Sequence, residues 1–254
     1  MTLAMFVLPS VAEASVGEVL TLDGEEGHHA AVVRRIAVGE EISLTDGAGT
    51  VARCRVASTG GSTGGSTGRG SLTAEVREVV RTPAEMPRVV VVQAIPKGDR
   101  GELAVEMLTE VGADVIVPWA AARSIARWKG ERADKALAKW RSAAREAAKQ
   151  ARRSWFPTVS DLASTDDVVA LLAKASVRVV LHEAASGPLA DVPVPGRGEI
   201  VIVVGPEGGI TEEELSAFSA VGAEPLRLGS SVLRSSTAGV AAAAALLSRT
   251  PRWR

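Results

Sequence analysis

The stretch VVGPEGGITEEEL, residues 203–215, decides how this chain is read. It closes a β-branched run that begins at Ile200, turns through Gly205-Pro206-Glu207-Gly208-Gly209, and reopens as a helix at Thr211. A glycine-rich turn between strand and helix suggests phosphate, yet the residues here argue against it. A Walker loop needs the spacing G-x-x-x-x-G-K-[ST], with its lysine on the phosphates. Here Ile210 follows Gly209, and Glu207 repels a triphosphate. The dinucleotide spacing G-x-G-x-x-G fails in this loop too. Two readings stay open. One is a loop whose glycines allow close backbone approach and whose acid tolerates or favours a cation. The other is a plain turn in which Thr211 and Glu214 form a T-x-x-E capping box.

Outward from this loop, the second half of the chain alternates strand and helix signals. Aliphatic runs lie at residues 89–92, 115–117, 177–181 and 200–204. A helix is predicted from about 102 to 111, where Leu103, Met107, Leu108 and Val111 recur at helical spacing and Gly112 supplies the stop. A second, long helix is predicted around 131–152. Continuous aliphatic strands separated by helices imply a parallel sheet covered on both faces, so the fold class is α/β. In such sheets ligands bind at the carboxyl ends of the strands. Three of those ends carry unusual chemistry: Leu181-His182-Glu183, the 205–209 turn, and residues 226–238, which open an alanine-rich final helix.

The first eighty residues have a different rhythm. Short alternating or β-branched segments at 18–22, 41–45, 50–56 and 72–76 predict a small β-rich module, with a short helix over 27–36. STGGSTGGSTGRGS, residues 58–71, has no means of burying a core and reads as an expanded hairpin tip. Residues 81–87 hold Pro83 and Pro87 and form the linker, which gives domains 1–82 and 83–254.

Composition narrows the class. Of 254 residues, 46% are hydrophobic and 23% charged, so wholesale disorder is excluded. Aromatics make up only 3%, with no tyrosine, so aliphatic and alanine packing must build the core. The single cysteine, Cys54, excludes an internal disulfide framework and a Cys-based zinc site. No apolar run is long enough to span a bilayer and the N-terminus lacks a signal-peptide pattern, so a cytoplasmic protein without metal or membrane partner is expected. A formal net charge of −1 gives no global nucleic-acid signature; RNA contact must come from a local basic patch.

GPEGGITEEEL followed by LRLGSSVLRSSTAGVAAAAAL resembles the ribosomal RNA small subunit methyltransferase E family, within the SPOUT class. Lys97-Gly98-Asp99-Arg100, residues 109–114, Arg123-Ser124, residues 146–150, His28-His29, residues 38–42 and Asp46-Gly47 are similar to segments of the same family, in the same order. The resemblance runs almost end to end.

That resemblance implies an N-terminal PUA-like β-barrel that binds RNA, a parallel sheet whose last segment threads a trefoil knot, and a homodimer. It implies S-adenosyl-L-methionine as cofactor and methylation of N3 of a decoding-site uridine of 16S rRNA, in the 30S subunit or as free rRNA. Carried onto this chain, the cofactor loops are Leu181, His182 and Glu183; Val204, Gly205, Pro206, Glu207, Gly208 and Gly209; and Leu228, Gly229, Ser231, Val232 and Leu233, with Thr237 as helix N-cap. Arg234 is the candidate catalytic residue, because a guanidinium donates two hydrogen bonds to oxygens on which negative charge develops. A capping or bridging arginine is its structural alternative. No general base stands out, and the N3 proton can leave to solvent. Glu207 either faces the sulfonium or bonds backbone amides. Two positions depart from the family: Ser236 stands where many relatives have glutamate, and Met5-Phe6 stands where an arginine often precedes the first aromatic.

For RNA, the candidates are Lys97, Arg100, Arg123, Arg152 and Arg153, the last two ending a basic run that starts at Lys129. Glu131, Asp134 and Glu146 interleave in that run as intrahelical partners, which is how a solvated helix face also looks. Trp119, Trp128, Trp140 and Trp155 read as core or interface fillers. Two alternatives from outside this reading stay open: a related methyltransferase acting on a ribose 2′-hydroxyl or another rRNA position, and a non-catalytic ribosome assembly factor.

Overall fold

In the computed structural model, residues 3–60 and 70–253 are described. The chain forms two compact units, residues 1–84 with Arg152–Phe156, and Glu85–Ala151 with 157–254.

The first unit is a five-stranded sheet. Its strands are β1 (Ala4–Val7), β2 (Val19–Leu22), β3 (Glu41–Thr45), β4 (Thr50–Thr59) and β5 (Leu72–Arg81), in the order β1-β3-β4-β5-β2. β1 runs parallel to β3 and the other pairs are antiparallel. Alternation puts Ile42, Leu44, Ala52, Cys54, Val56, Ala74 and Val76 on the buried face. Burial there pushes the Cys54 thiol up to about 11. The β4–β5 hairpin pairs out to Thr59 and Leu72, so the Gly/Ser/Thr segment does connect two strands, although its centre, residues 61–69, lies outside the described residues. The helix expected over 27–36 starts earlier and splits: α1 (Gly24–His28) passes into a π-turn over His29–Val33. Gly27 permits this, since a Cβ there meets the Leu22 carbonyl oxygen at 2.5 Å.

The second unit is built on six parallel strands. They are β6 (Arg88–Ala94), β7 (Val115–Trp119), β8 (Thr158–Val159), β9 (Val177–Leu181), β10 (Glu199–Val204) and β11 (Pro225–Leu226), in the order β11-β9-β10-β6-β7-β8. Helices α2 (Arg100–Val111), α3 (Glu131–Gln150) and α6 (Ser235–Leu247) supply one cluster of core side chains, with Val89 and Val91 of β6. Helices α4 (Thr165–Lys174) and α5 (Glu212–Ser219) supply the other, with Val90, Val92 and Ala94. A strand covered on both faces has no polar side, which is why residues 89–92 of β6 and 200–204 of β10 read as uninterrupted aliphatic runs. The α2 stripe differs from its expected form. Ala104, Val105 and Leu108 are buried, whereas Leu103 is 47% exposed. The helix therefore turns Ala104, Val105 and Leu108 to the sheet and leaves Leu103 outside. Gly112, with φ 106°, ends the helix in the left-handed region as expected.

Chain order and spatial order together place the crevice. From β6 the chain runs outward through β7 to β8, then returns across the sheet to build β9, β10 and β11 on the other side. The direction reverses between neighbouring strands β6 and β10, and the carboxyl ends at such a reversal are where open α/β sheets hold ligands.

Candidate active site

A cavity of about 340 Å³ opens at the carboxyl ends of β9 and β10 and along the segment after β11. That volume falls within the roughly 300–1,000 Å³ of small-molecule sites. It is lined by every cofactor candidate except Gly208 and Thr237, together with Arg234, and sequence reasoning missed Ile210, Arg227, Ser230, Ser235 and Ala238 in its wall. Those five lie next to motif residues in the chain, so adjacency was the one available signal.

Backbone pairing assembles the three loops. His182 donates its N–H to the Leu226 carbonyl at 3.0 Å, Arg227 to Gly187 at 2.8 Å, and Leu189 to Arg227 at 2.9 Å. The segment after β11 is therefore stitched to the segment after β9. The His182 side chain acts locally as well. Its Nδ1 accepts the Ala184 N–H at 3.2 Å, which fixes the imidazole against its own turn. Gly229 has φ 78° with no neighbour within 4 Å of a built Cβ, so its conformation and not crowding calls for glycine.

Glu207 sits at the switch point. Its Oε1 accepts the Ser235 hydroxyl at 3.2 Å and the backbone N–H of Lys97 at 3.4 Å. The carboxylate thus ties the loop after β10 to the loop after β6 and to the first turn of α6. Arg234 is exposed, lines the cavity and occupies the cap position of α6, where its carbonyl accepts the N–H groups of Thr237 and Ala238, both at 2.9 Å. This corrects the expectation for Thr237, which lies within the first helical turn, exposed, instead of capping it. A residue cannot serve as cap once its own φ and ψ are helical. Ser236 is buried.

Gly208 turns away from the cavity. A Cβ built there meets the Arg123 carbonyl oxygen at 2.9 Å, and Arg123 Nη1 donates to the Gly208 carbonyl at 3.4 Å. Missing side-chain bulk at 208 therefore admits the loop that follows β7. That loop is held by Glu214, whose carboxylate is buried. Its Oε2 accepts the Thr211 N–H at 2.9 Å and the Thr211 hydroxyl accepts the Glu214 N–H at 3.2 Å, which completes the capping box foreseen in the sequence. Its Oε1 accepts the Ala122 N–H at 2.8 Å and the Thr165 hydroxyl at 3.4 Å. The neighbouring Glu213 carboxyl is held below the usual range by its own backbone N–H first, then by the Thr211 hydroxyl, with the Arg123 charge adding to both.

Of the RNA candidates, Lys97, Arg100 and Arg123 are exposed on loops or helix starts at the carboxyl edge of the six-stranded sheet. Arg152 and Arg153 belong to the first unit, where Arg152 Nε donates to the Leu3 carbonyl at 3.2 Å. On α3, several cations have local partners: Lys149 with Glu146 at 2.9 Å, Arg141 with Asp161 at 2.8 Å and Lys139 with Glu102 at 3.7 Å. Among the described residues no group of three or more His, Cys, Asp or Glu side chains is placed to hold a metal ion. No described helix is long and apolar enough to cross a membrane.

The donor set suits a cofactor with an aromatic base, a sugar and charged ends. Leu181, Val204, Ile210, Leu228 and Leu233 offer apolar walls, the 205–209 and 228–234 loops offer main-chain donors and acceptors, and Arg227 and Arg234 offer charge.

Comparison with known proteins identifies the family. Residues 83–247 match the family described as RNA methyltransferase domain, and residues 22–63 match the RNA methyltransferase PUA domain. The ribosomal RNA small subunit methyltransferase E of Mycobacterium bovis is 44% identical over 241 residues, covering 93% of this chain and 89% of the relative. Among solved structures, a Legionella pneumophila methyltransferase with bound cofactor SAM superposes with a TM-score of 0.86 at 26% identity, covering 98% of this chain and 99% of that one. Ribosomal RNA small subunit methyltransferase E of Neisseria gonorrhoeae, bound to S-adenosyl methionine, gives 0.83 at 28% identity, covering 97% and 98%. With a parallel-sheet domain and a PUA domain in this arrangement along the sequence, the chain belongs to the ribosomal RNA small subunit methyltransferase E family of RNA methyltransferases.

Proposed function

We propose that this protein transfers the methyl group of S-adenosyl-L-methionine to N3 of a decoding-site uridine in 16S rRNA, acting as a cytoplasmic homodimer on the small ribosomal subunit or its rRNA. The observation that carries this reading is the convergence of three loops on one cavity at the switch point, with Arg234 in its wall. The cofactor supplies an electrophilic methyl group. The chain's own residues do the rest. The loops after β9, β10 and β11 hold the donor, by way of Leu181, Val204 and Leu228 and the main chain between Gly205 and Gly209, with the last loop entering as the trefoil knot. Arg234 directs a planar pair of donors at the uracil carbonyl oxygens, where negative charge gathers once N3 loses its proton. Aligning the base with the methyl group removes much of the entropic barrier. Lys97, Arg100 and Arg123 hold the backbone phosphates at the sheet edge, and the PUA domain, with Arg152 and Arg153, adds RNA surface. The exposed Leu103 and Val232 provide apolar area for a second copy.

The test is incubation of the protein with labelled cofactor and either 30S subunits or naked 16S rRNA, followed by mapping of the modified nucleotide. Label at N3 of one uridine is expected. No transfer to either substrate overturns the reading, and label on a ribose oxygen assigns the site to 2′-O chemistry.

A further inference from the structure

A second cavity, of about 500 Å³, lies within the same unit beside the first. The two share a wall. Pro96 and Gly98 line the second cavity, while Lys97 between them donates its N–H to Glu207, a wall of the first. One loop strand thus separates the cofactor cavity from its neighbour.

Three kinds of side chain meet in the second cavity. Arg132, Lys135 and Lys139 recur on α3 at spacings of three and four, so one face of the helix turns positive toward it. Lys139 is engaged with Glu102 at 3.7 Å, but Arg132 and Lys135 make no ion pair among the described residues. Trp128 supplies an aromatic wall that is fixed in advance. Its ring meets buried Trp140 edge-to-face, with centroids 5.1 Å apart and planes at 83°. Trp140 in turn rests on Gly101, where a Cβ comes within 2.8 Å of the indole. The third element is the Asp99 carboxylate, which makes no capping hydrogen bond to α2 although it stands at the cap position.

Two cations with an aromatic plane and an acceptor match the parts of a nucleotide. Arg132 and Lys135 suit a phosphate, the Trp128 indole suits a base, and a carboxylate accepts from an exocyclic amino group. The geometry points to a subsite for the nucleotide adjacent to the target in single-stranded RNA, selective for a base that carries an exocyclic amine. The inference rests on the RNA-methylating reading and extends it: the target uracil faces Arg234 while its neighbour enters across the 96–98 loop.

The test is fluorescence anisotropy of the full-length protein with short labelled oligoribonucleotides, one uridine flanked by cytidines against all uridine. Arg132→Gln with Lys135→Gln is expected to weaken binding on the order of tenfold and to reduce the salt slope by about 0.7, the value for one phosphate contact on a single strand. Trp128→Leu weakens both oligomers. Asp99→Ala, which leaves no acceptor, removes the preference for the cytidine-flanked one. Melting temperatures equal to that of the unsubstituted protein make each loss a binding loss. Wild-type affinity and salt slope in the double variant, or unchanged binding in Trp128→Leu, overturns the subsite. Binding needs no turnover, so the two readings separate. RNA binding that depends on these residues without methyl transfer to 30S or rRNA overturns the methylation alone. Transfer with binding indifferent to the three substitutions overturns the subsite alone.

Discussion

Ser235 Oγ donates to Glu207 Oε1 at 3.2 Å, joining the first turn of α6 to the turn after β10. The second bond to the same oxygen, from the Lys97 backbone N–H, makes the carboxylate a tie between the turn after β10, the loop after β6 and the first turn of α6. Both bonds use one acceptor oxygen, which an amide also possesses. Glu207→Gln is therefore expected to keep S-adenosylmethionine affinity close to the unsubstituted value by isothermal titration. Glu207→Ala loses both bonds, at about 1 kcal/mol each, and weakens binding by about tenfold or more. A Gln variant as weak as the Ala variant shows instead that the negative charge itself is read by the cofactor.

On the proposed reading, Arg234 separates catalysis from folding. Its backbone carbonyl begins α6 whatever the side chain, while the guanidinium lies exposed in the cavity wall. Arg234→Ala is expected to lower kcat by about 10²–10³, the loss found when one donor to a developing anion is removed, with cofactor affinity and melting temperature unchanged. Arg234→Lys keeps the charge but not the planar fork and falls between the two. An Ala variant with normal kcat and a raised KM for RNA moves Arg234 to substrate binding.

Glu214 makes the opposite case to Glu207, because both of its oxygens accept: Oε2 from Thr211 and Oε1 from Ala122 and Thr165. An amide satisfies one side and turns an N–H against an N–H on the other. Glu214→Gln is expected to lose about 1–3 kcal/mol of stability in urea unfolding, comparable to Glu214→Ala. A Gln variant as stable as the unsubstituted protein removes Glu214 from the tie between the Arg123 loop and the 205–211 turn.

Local rules made part of this molecule legible and left part hidden. The strands at 89–92 and 200–204 showed as aliphatic runs because both faces are buried, and the Thr211–Glu214 box showed because a cap is a four-residue event. Helix α4 carries the same signal in Ser164 and Asp167, which form a full capping box that the hydrophobic pattern alone does not reveal. Strands β8 and β11 are two residues each and exist only through their neighbours, so no pattern announces them. The motif located the loops that line the cavity but not what their residues touch. Glu207 meets Ser235 and Lys97 across 28 and 110 positions of sequence, and Gly208 serves Arg123 across 85. Those distances are closed by topology alone.

The furthest-reaching case is Arg252, which no pattern near the end of the chain singled out. Its guanidinium side chain is 4% exposed and forks onto Asp114, at 2.7 Å from Nη1 and 3.3 Å from Nη2, while Nε reaches Glu85 at 3.0 Å. It also donates to the carbonyls of Pro87 at 3.0 Å and Gly112 at 2.9 Å, and Asp114 Oδ2 accepts the Val89 N–H at 2.7 Å. One side chain therefore holds the entry to β6, the end of α2 and the approach to β7. A buried charge that loses its partner is costly, so Arg252→Met is expected to destabilise by about 3–5 kcal/mol. Arg252→Met with Asp114→Asn is expected to recover part of that, because the uncompensated carboxylate is gone. Urea unfolding of the two single variants and the pair measures the coupling, and additive losses show that Arg252 and Asp114 act independently.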